Sequence, residues 1–257
     1  MAKILWVNPL VTDDSFDIPL KESLEQIKQP GNEVEVVSVK KGPRHVEYRY
    51  YEALVLAESL HIIKQAEKDG FDAAVMGCFY DPGLHDAREI VEDMVITAPA
   101  ETCMHLAATM AHKFSIIVGR NKWIPQMMDN VILNGMERKL ASFKSLGLGV
   151  LDFHADEQKT MKLIKEKAKE AVVEDGAEAL ILGCTFQFGF YKEIQDYVKV
   201  PVFDAIIAPF KYAEFLVELK NKFGWTYSQI GGYETPPISE IKQWNLEEDF
   251  NIKGLWE

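Results

Sequence analysis

Asp69-Gly70-Phe71-Asp72-Ala73-Ala74-Val75-Met76-Gly77-Cys78 aligns without a gap with Asp175-Gly176-Ala177-Glu178-Ala179-Leu180-Ile181-Leu182-Gly183-Cys184. Each copy has a turn-forming Asp-Gly, then four consecutive apolar residues, then Gly-Cys. That order describes a helix end followed by a short strand buried on both faces. The match runs on through an aromatic-rich loop to Gly83 in one copy and Gly189 in the other. One chain that carries this unit twice predicts two related α/β lobes.

Outward from the repeat the same alternation continues. Lys3–Asn8 is an apolar run closed by Asn-Pro and is predicted as a buried strand. Asp17–Gln29 has helical spacing, and Glu33–Val39 reads as a second strand. A helix is expected over Ala53–Asp69, and another over Ala100–His112. In the second half the expected elements are a strand at Phe114–Val118, a helix across Ile124–Ser145, a strand around Gly149–Leu151 and a helix over Glu157–Glu174. Strands that alternate with helices imply parallel sheets covered on both faces. In such sheets ligands sit beyond the carboxyl ends of the strands, and each Gly-Cys lies at that end. If the lobes face each other with pseudo-twofold symmetry, the two thiols look at one another across a cleft.

The 257 residues, 47% hydrophobic and 26% charged, suit a globular protein. A net charge of −12 disfavours nucleic acid, which needs a basic stripe. No stretch approaches the roughly 20 apolar residues of a membrane span, so no membrane partner is expected. Three cysteines make no disulfide framework and fit a reducing cytoplasm. Cys78, His85, Cys103, His105 and Cys184 lack the close spacing of a zinc site. Gly147-Leu148-Gly149 is a lone fragment of a nucleotide motif, and neither a P-loop nor a Gly-x-Ser-x-Gly elbow is present.

An isolated cysteine is more often a small packing residue than a catalyst, and Cys103, inside a predicted helix with no counterpart in the other half, fits that description. Cys78 and Cys184 end equivalent strands, which packing alone does not explain. Inverting a carbon next to a carbonyl takes a base on one face and an acid on the other, and two identical residues can exchange these roles. A thiol of ordinary pKa near 8.5 serves if neighbouring N–H dipoles or cations lower it.

These residues resemble the Asp/Glu/hydantoin racemase superfamily, most closely its hydantoin and allantoin racemase branch. The likeness spans most of the chain. It is carried by Ile4-Leu5-Trp6-Val7-Asn8-Pro9, Gly42-Pro43-Arg44-His45-Val46-Glu47, Gly77-Cys78-Phe79-Tyr80-Asp81-Pro82-Gly83-Leu84, Ala100-Glu101-Thr102-Cys103-Met104-His105, His112-Lys113-Phe114-Ser115-Ile116-Ile117, Leu182-Gly183-Cys184 and Val200-Pro201-Val202-Phe203-Asp204. The resemblance implies two pseudo-symmetric flavodoxin-like lobes with the active site in the cleft between them. The first would comprise 1–98 and 208–257, the second 99–207. It further implies a racemase or epimerase without cofactor or metal, working as a homo-oligomer on a small molecule. Cys78 and Cys184 would be the acid/base pair, and Asn8 would hold a substrate oxygen. The main-chain N–H groups of Phe79 and Thr185 would stabilise a developing oxyanion, with Tyr80 and Phe186 completing the substrate contacts.

Two stretches depart from the family. Leu10-Val11-Thr12-Asp13-Asp14 stands where relatives carry a small polar run, and Thr185-Phe186-Gln187-Phe188-Gly189-Phe190-Tyr191 replaces small residues after the second cysteine. The expected substrate is a 5-substituted hydantoin or an allantoin-like cyclic ureide. The alternatives are an acidic amino-acid racemase, a maleate-type isomerase, an arylmalonate-type decarboxylase or a non-catalytic metabolite-binding protein. Asp13 and Asp14 would repel a carboxylate substrate if they face it; otherwise they point to solvent or cap the next helix.

Overall fold

The computed structural model describes residues 1–256 and contains two parallel four-stranded sheets with flanking helices. The first half runs β1 (Lys3–Asn8), α1 (Asp14–Ile27), β2 (Glu33–Ser38), α2 (Arg49–Lys68), β3 (Ala73–Met76), α3 (Leu84–Ile90) and β4 (Val95–Thr97). The second runs α4 (Pro99–Met110), β5 (Phe114–Val118), α5 (Ile124–Leu133), β6 (Leu140–Ser145), α6 (Glu157–Val173), β7 (Ala179–Leu182), α7 (Tyr191–Val198) and β8 (Val202–Phe203). A long helix α8 (Ile207–Phe223) and two short ones, α9 (Ile238–Gln243) and α10 (Leu246–Asp249), follow.

The repeat seen in the sequence is a repeat of topology. The sheets have strand orders β2-β1-β3-β4 and β6-β5-β7-β8. β3 pairs with β1 from Ile4↔Ala73 to Val7↔Met76, and β7 pairs with β5 from Phe114↔Ala179 to Ile117↔Leu182. β3, β5 and β7 are buried throughout, as central parallel strands must be. Trp6 and Phe114 are fully enclosed in their respective cores, each contributing roughly 2–3 kcal/mol of apolar burial.

Two compact units emerge from the contacts. One comprises Met1–Met76, Pro82–Thr97 and the chain from Lys211 onward; the other comprises Gly77–Asp81 and Ala98–Phe210. In the first, α1 packs on β2, α2 on β1 and β3, and α3 on α2 and β4. In the second, α4 packs on β5 and β7, α6 on β5 and β6, and α7 on β8. The five residues Gly77–Asp81 that follow β3 therefore belong with the second unit.

Asp13 is the N-cap of α1, its carboxylate accepting the Ser15 N–H at 3.1 Å and pairing with Arg44 at 2.6 Å. The capping role expected as one alternative is the one adopted. The helix expected across Ile124–Ser145 ends at Leu133, and Leu140–Ser145 is a strand. Gly135 explains the stop. It takes a left-handed φ of 66° and donates to Ile132 O at 2.9 Å, while Met136 N–H reaches Val131 O at 2.9 Å, a glycine-closed helix end. The strand expected around Gly149–Leu151 is not formed; a single 3-10 turn, Val150–Asp152, lies there. α3 and β4 were not anticipated, being only seven and three residues long.

Candidate active site

Cys78 and Cys184 immediately follow the glycines that close β3 and β7. Gly183 is required by close approach: a Cβ there would lie 2.8 Å from Ile116 Cγ2 and 3.1 Å from Ile117 O. Beyond each cysteine the chain makes the same tight turn, Asp81 N–H donating to Cys78 O at 2.9 Å and Gln187 N–H to Cys184 O at 3.0 Å. All three cysteines are thiols; Cys78 and Cys103 are buried and Cys184 is half-buried.

Three side chains, making four hydrogen bonds, hold the Cys78 loop within the second unit. The Thr185 hydroxyl donates to Gly77 O at 3.4 Å, and Asn130 Nδ2 donates to Tyr80 O at 2.8 Å. Asp81 accepts the N–H groups of Ala100 at 2.8 Å and Glu101 at 2.7 Å, capping α4. Ala98, the local N-cap position of α4, has no side chain for the task and Pro99 follows it, so the cap comes from a distant part of the sequence. The Thr185 contact joins the residue after one cysteine to the residue before the other, which with 3.8 Å between consecutive Cα atoms puts the two cysteine Cα atoms within about 16 Å.

The remaining expected contacts flank these thiols in sequence. Phe79, Tyr80 and Thr185 are buried, and Phe186 is half-buried. Asn8 ends β1 in the other unit and is 1% exposed. Its Oδ1 accepts from Trp6 Nε1 at 2.8 Å, and its Nδ2 donates to Asp17 at 2.9 Å and Ser38 Oγ at 3.1 Å. Thr12 donates to the same Asp17 carboxylate at 2.7 Å. Thr12, Asp17 and Ser38 form, with Asn8, a polar cluster at the carboxyl ends of β1 and β2 that the sequence did not announce. Their spacing shows no pattern, and Asp17 reads as an ordinary helix residue.

Cys103 is set apart by its surroundings. Burial pushes its thiol well above the ordinary range, and the carboxylates of Asp204 and Asp81 add to the shift. Its Sγ lies 3.8 Å from Asp204 O. Such a thiol stays protonated at neutral pH and packs as an apolar residue. Burial also raises the Asp204 carboxyl, against the N–H groups of Ile206, Ile207 and Gly189, which lower it. His154 stacks on Phe190 with centroids 5.4 Å apart and bonds Glu157 at 2.8 Å. Among the described residues no three His, Cys, Asp or Glu side chains gather as a metal site, and no helix is long and apolar enough to cross a membrane.

Residues 4–213 match the sequence profile of the family described as Asp/Glu/Hydantoin racemase. A hydantoin racemase from a Pseudomonas species is 32% identical over 238 residues, 93% of each chain. One from Paenarthrobacter aurescens is 32% identical over 235 residues, 91% of this chain and 97% of its own. Among solved structures, the allantoin racemase from Klebsiella pneumoniae superposes with a TM-score of 0.85 at 26% identity, covering 92% of this chain and 94% of its own. With a profile that runs from β1 into α8 and relatives matched over nearly their whole length, the chain belongs to the Asp/Glu/hydantoin racemase family and is an isomerase of the racemase type.

Proposed function

We propose that this racemase inverts the carbon next to a carbonyl in a neutral cyclic ureide, a 5-substituted hydantoin or an allantoin-like ring, by proton transfer between Cys78 and Cys184. The observation that carries the proposal is the pair of matching strand ends: two Gly-Cys turns of the same form, joined by the bond from Thr185 to Gly77. The hydantoin and allantoin racemases among the relatives supply the substrate class.

In one direction a thiolate takes the ring proton: the C–H bond breaks, an S–H bond forms, and the electron pair moves onto the carbonyl oxygen as an enolate. The opposite thiol then gives its proton to the other face of the carbon, the carbonyl reforms, and the second sulfur is left as thiolate. Proton exchange with water, or a turnover in the reverse direction, restores the starting protonation state of the pair, so no cofactor is consumed. N–H groups at Phe79 and Thr185 would stabilise the enolate oxygen, an effect worth about 3 kcal/mol per well-placed donor. Tyr80 and Phe186 would bracket the ring. Asn8 already donates to Asp17 and Ser38. To hold a substrate oxygen it would exchange one of these bonds, and the Asp17 carboxylate beside it disfavours a substrate carboxylate.

Polarimetry on single enantiomers of 5-substituted hydantoins, allantoin, aspartate and glutamate tests the substrate class. Decay of optical rotation is expected with the ureides. Turnover of aspartate or glutamate with none of any ureide would overturn the reading.

A further inference from the structure

Asp81 and Gln187 occupy the same place in the two halves, three residues beyond a cysteine and bonded to its carbonyl through the backbone N–H. Their side chains meet different fates. Asp81 caps α4. At the corresponding helix start in the second half, Asp204 does the capping from close by: its Oδ1 accepts the N–H of Ile206 at 2.7 Å and of Ile207 at 3.2 Å. Gln187 is thereby released from the work its counterpart performs. Its side chain is nonetheless 0% exposed, and neither Oε1 nor Nε2 has a hydrogen-bond partner.

A primary amide buried without partners is unfavourable, and most buried polar groups avoid that state. A leucine or methionine would fill the position without the deficit. The amide presents a donor beside an acceptor in one plane. Its full complement is an N–H beside a C=O on one edge, which every cyclic ureide carries. A carboxylate offers acceptors alone and would leave Oε1 unmet.

We infer that Gln187 is a specificity-determining residue of this racemase, its side-chain amide pairing with the N–H and C=O edge of a cyclic ureide held beside Cys184. The inference rests on the ureide reading above and deepens it. Because Gln187 N–H is bonded to Cys184 O, the amide is carried on the turn that carries the thiol. Reaching it requires the Thr185–Gln187 turn to shift. Backbone bonds of 3.0 and 3.3 Å close that turn and the Thr185 hydroxyl ties it to Gly77 O at 3.4 Å, so the shift would lengthen bonds two of which are already long; Gly189 follows at a φ of 86°.

The test compares wild type with Gln187→Met by calorimetric titration and thermal melting. The probes are unsubstituted hydantoin and 1,3-dimethylhydantoin, which lacks both N–H donors. Wild type should prefer hydantoin to the dimethyl compound by about tenfold or more, and the variant should bind hydantoin about tenfold more weakly and lose the preference. Its melting temperature should stay level or rise, since an orphaned amide has been removed. Equal hydantoin affinity in both proteins would overturn the inference, as would a melting temperature several degrees lower, which would give the amide a structural partner. Hydantoin binding does not depend on proton transfer. Uptake of deuterium at C5 by wild type in D₂O therefore judges the racemase chemistry separately: binding without uptake would count against the thiol mechanism and leave the Gln187 assignment standing.

Discussion

Asp81 acts on α4, although in sequence it follows Cys78. Its backbone has a left-handed φ of 50°, uncommon for a residue with a side chain, and the two cap bonds hold it there. Asp81→Ala should lose about 1–2 kcal/mol of stability, measured by urea unfolding, through the lost cap. It should also lower kcat/KM about tenfold or more, because the Cys78 loop loses one of its ties to the second unit. Asp81→Asn, which keeps an acceptor, should recover part of both; an alanine variant of unchanged stability and rate would show that the cap positions nothing. At this scale the sequence was legible where chemistry follows residue type. The thiols and their glycines could be read, because Gly-Cys stands at a strand end twice. The orphaned amide of Gln187 and the polar cluster around Asp17 could not, because they depend on which distant groups fold against them. Asp81 left one faint signal, a helix beginning Ala98-Pro99 with no local side chain to cap it.

Among the elements, strands of consecutive apolar residues were found at their predicted limits, as at Lys3–Asn8, Phe114–Val118 and Ala179–Leu182. Leu140–Ser145 was read as helix because every residue of this edge strand is only half-buried and its alternation is weak; the decisive sign was Gly135. Edge strand β4 lies next to a segment tied down by Glu67, at the end of α2. The Glu67 carboxylate accepts the N–H groups of Glu92 at 2.7 Å and Asp93 at 2.9 Å and pairs with Lys64 at 2.9 Å. Burial pushes this carboxyl up, but the Asp93 N–H, the Lys64 ammonium and the Glu92 N–H together leave it lowered. A folded value below the unfolded one means the stabilisation is fully present above the ordinary carboxylate range. It is lost as the pH falls through the lowered value. Glu67→Gln should therefore be less stable than wild type at pH 7, by about 1 kcal/mol after solvent screening. The gap should close toward pH 3. Urea titrations at both pH values check this, and a constant gap would show that charge on Glu67 contributes nothing.

Over the whole molecule the repeat gives one strand order twice and one thiol per copy, and the family match runs from the first strand into α8. Under the proposed mechanism, two like thiols serving one carbon would make the protein nearly indifferent to substrate handedness, which is what racemisation demands. The two-thiol mechanism then predicts a division of labour. Cys78→Ser and Cys184→Ser should each abolish racemisation, while the remaining thiol still removes the proton that faces it and the enolate recaptures solvent deuterium on the same face. Cys103→Ala, at a buried thiol held protonated, should racemise as wild type does and lose about 1 kcal/mol of packing. The most direct measurement is proton NMR of each pure enantiomer of a ureide substrate in D₂O with each serine variant. Exchange of one enantiomer only, with opposite choices by Cys78→Ser and Cys184→Ser, is the expected result; full racemisation by either variant, or exchange of the same enantiomer by both, would contradict it.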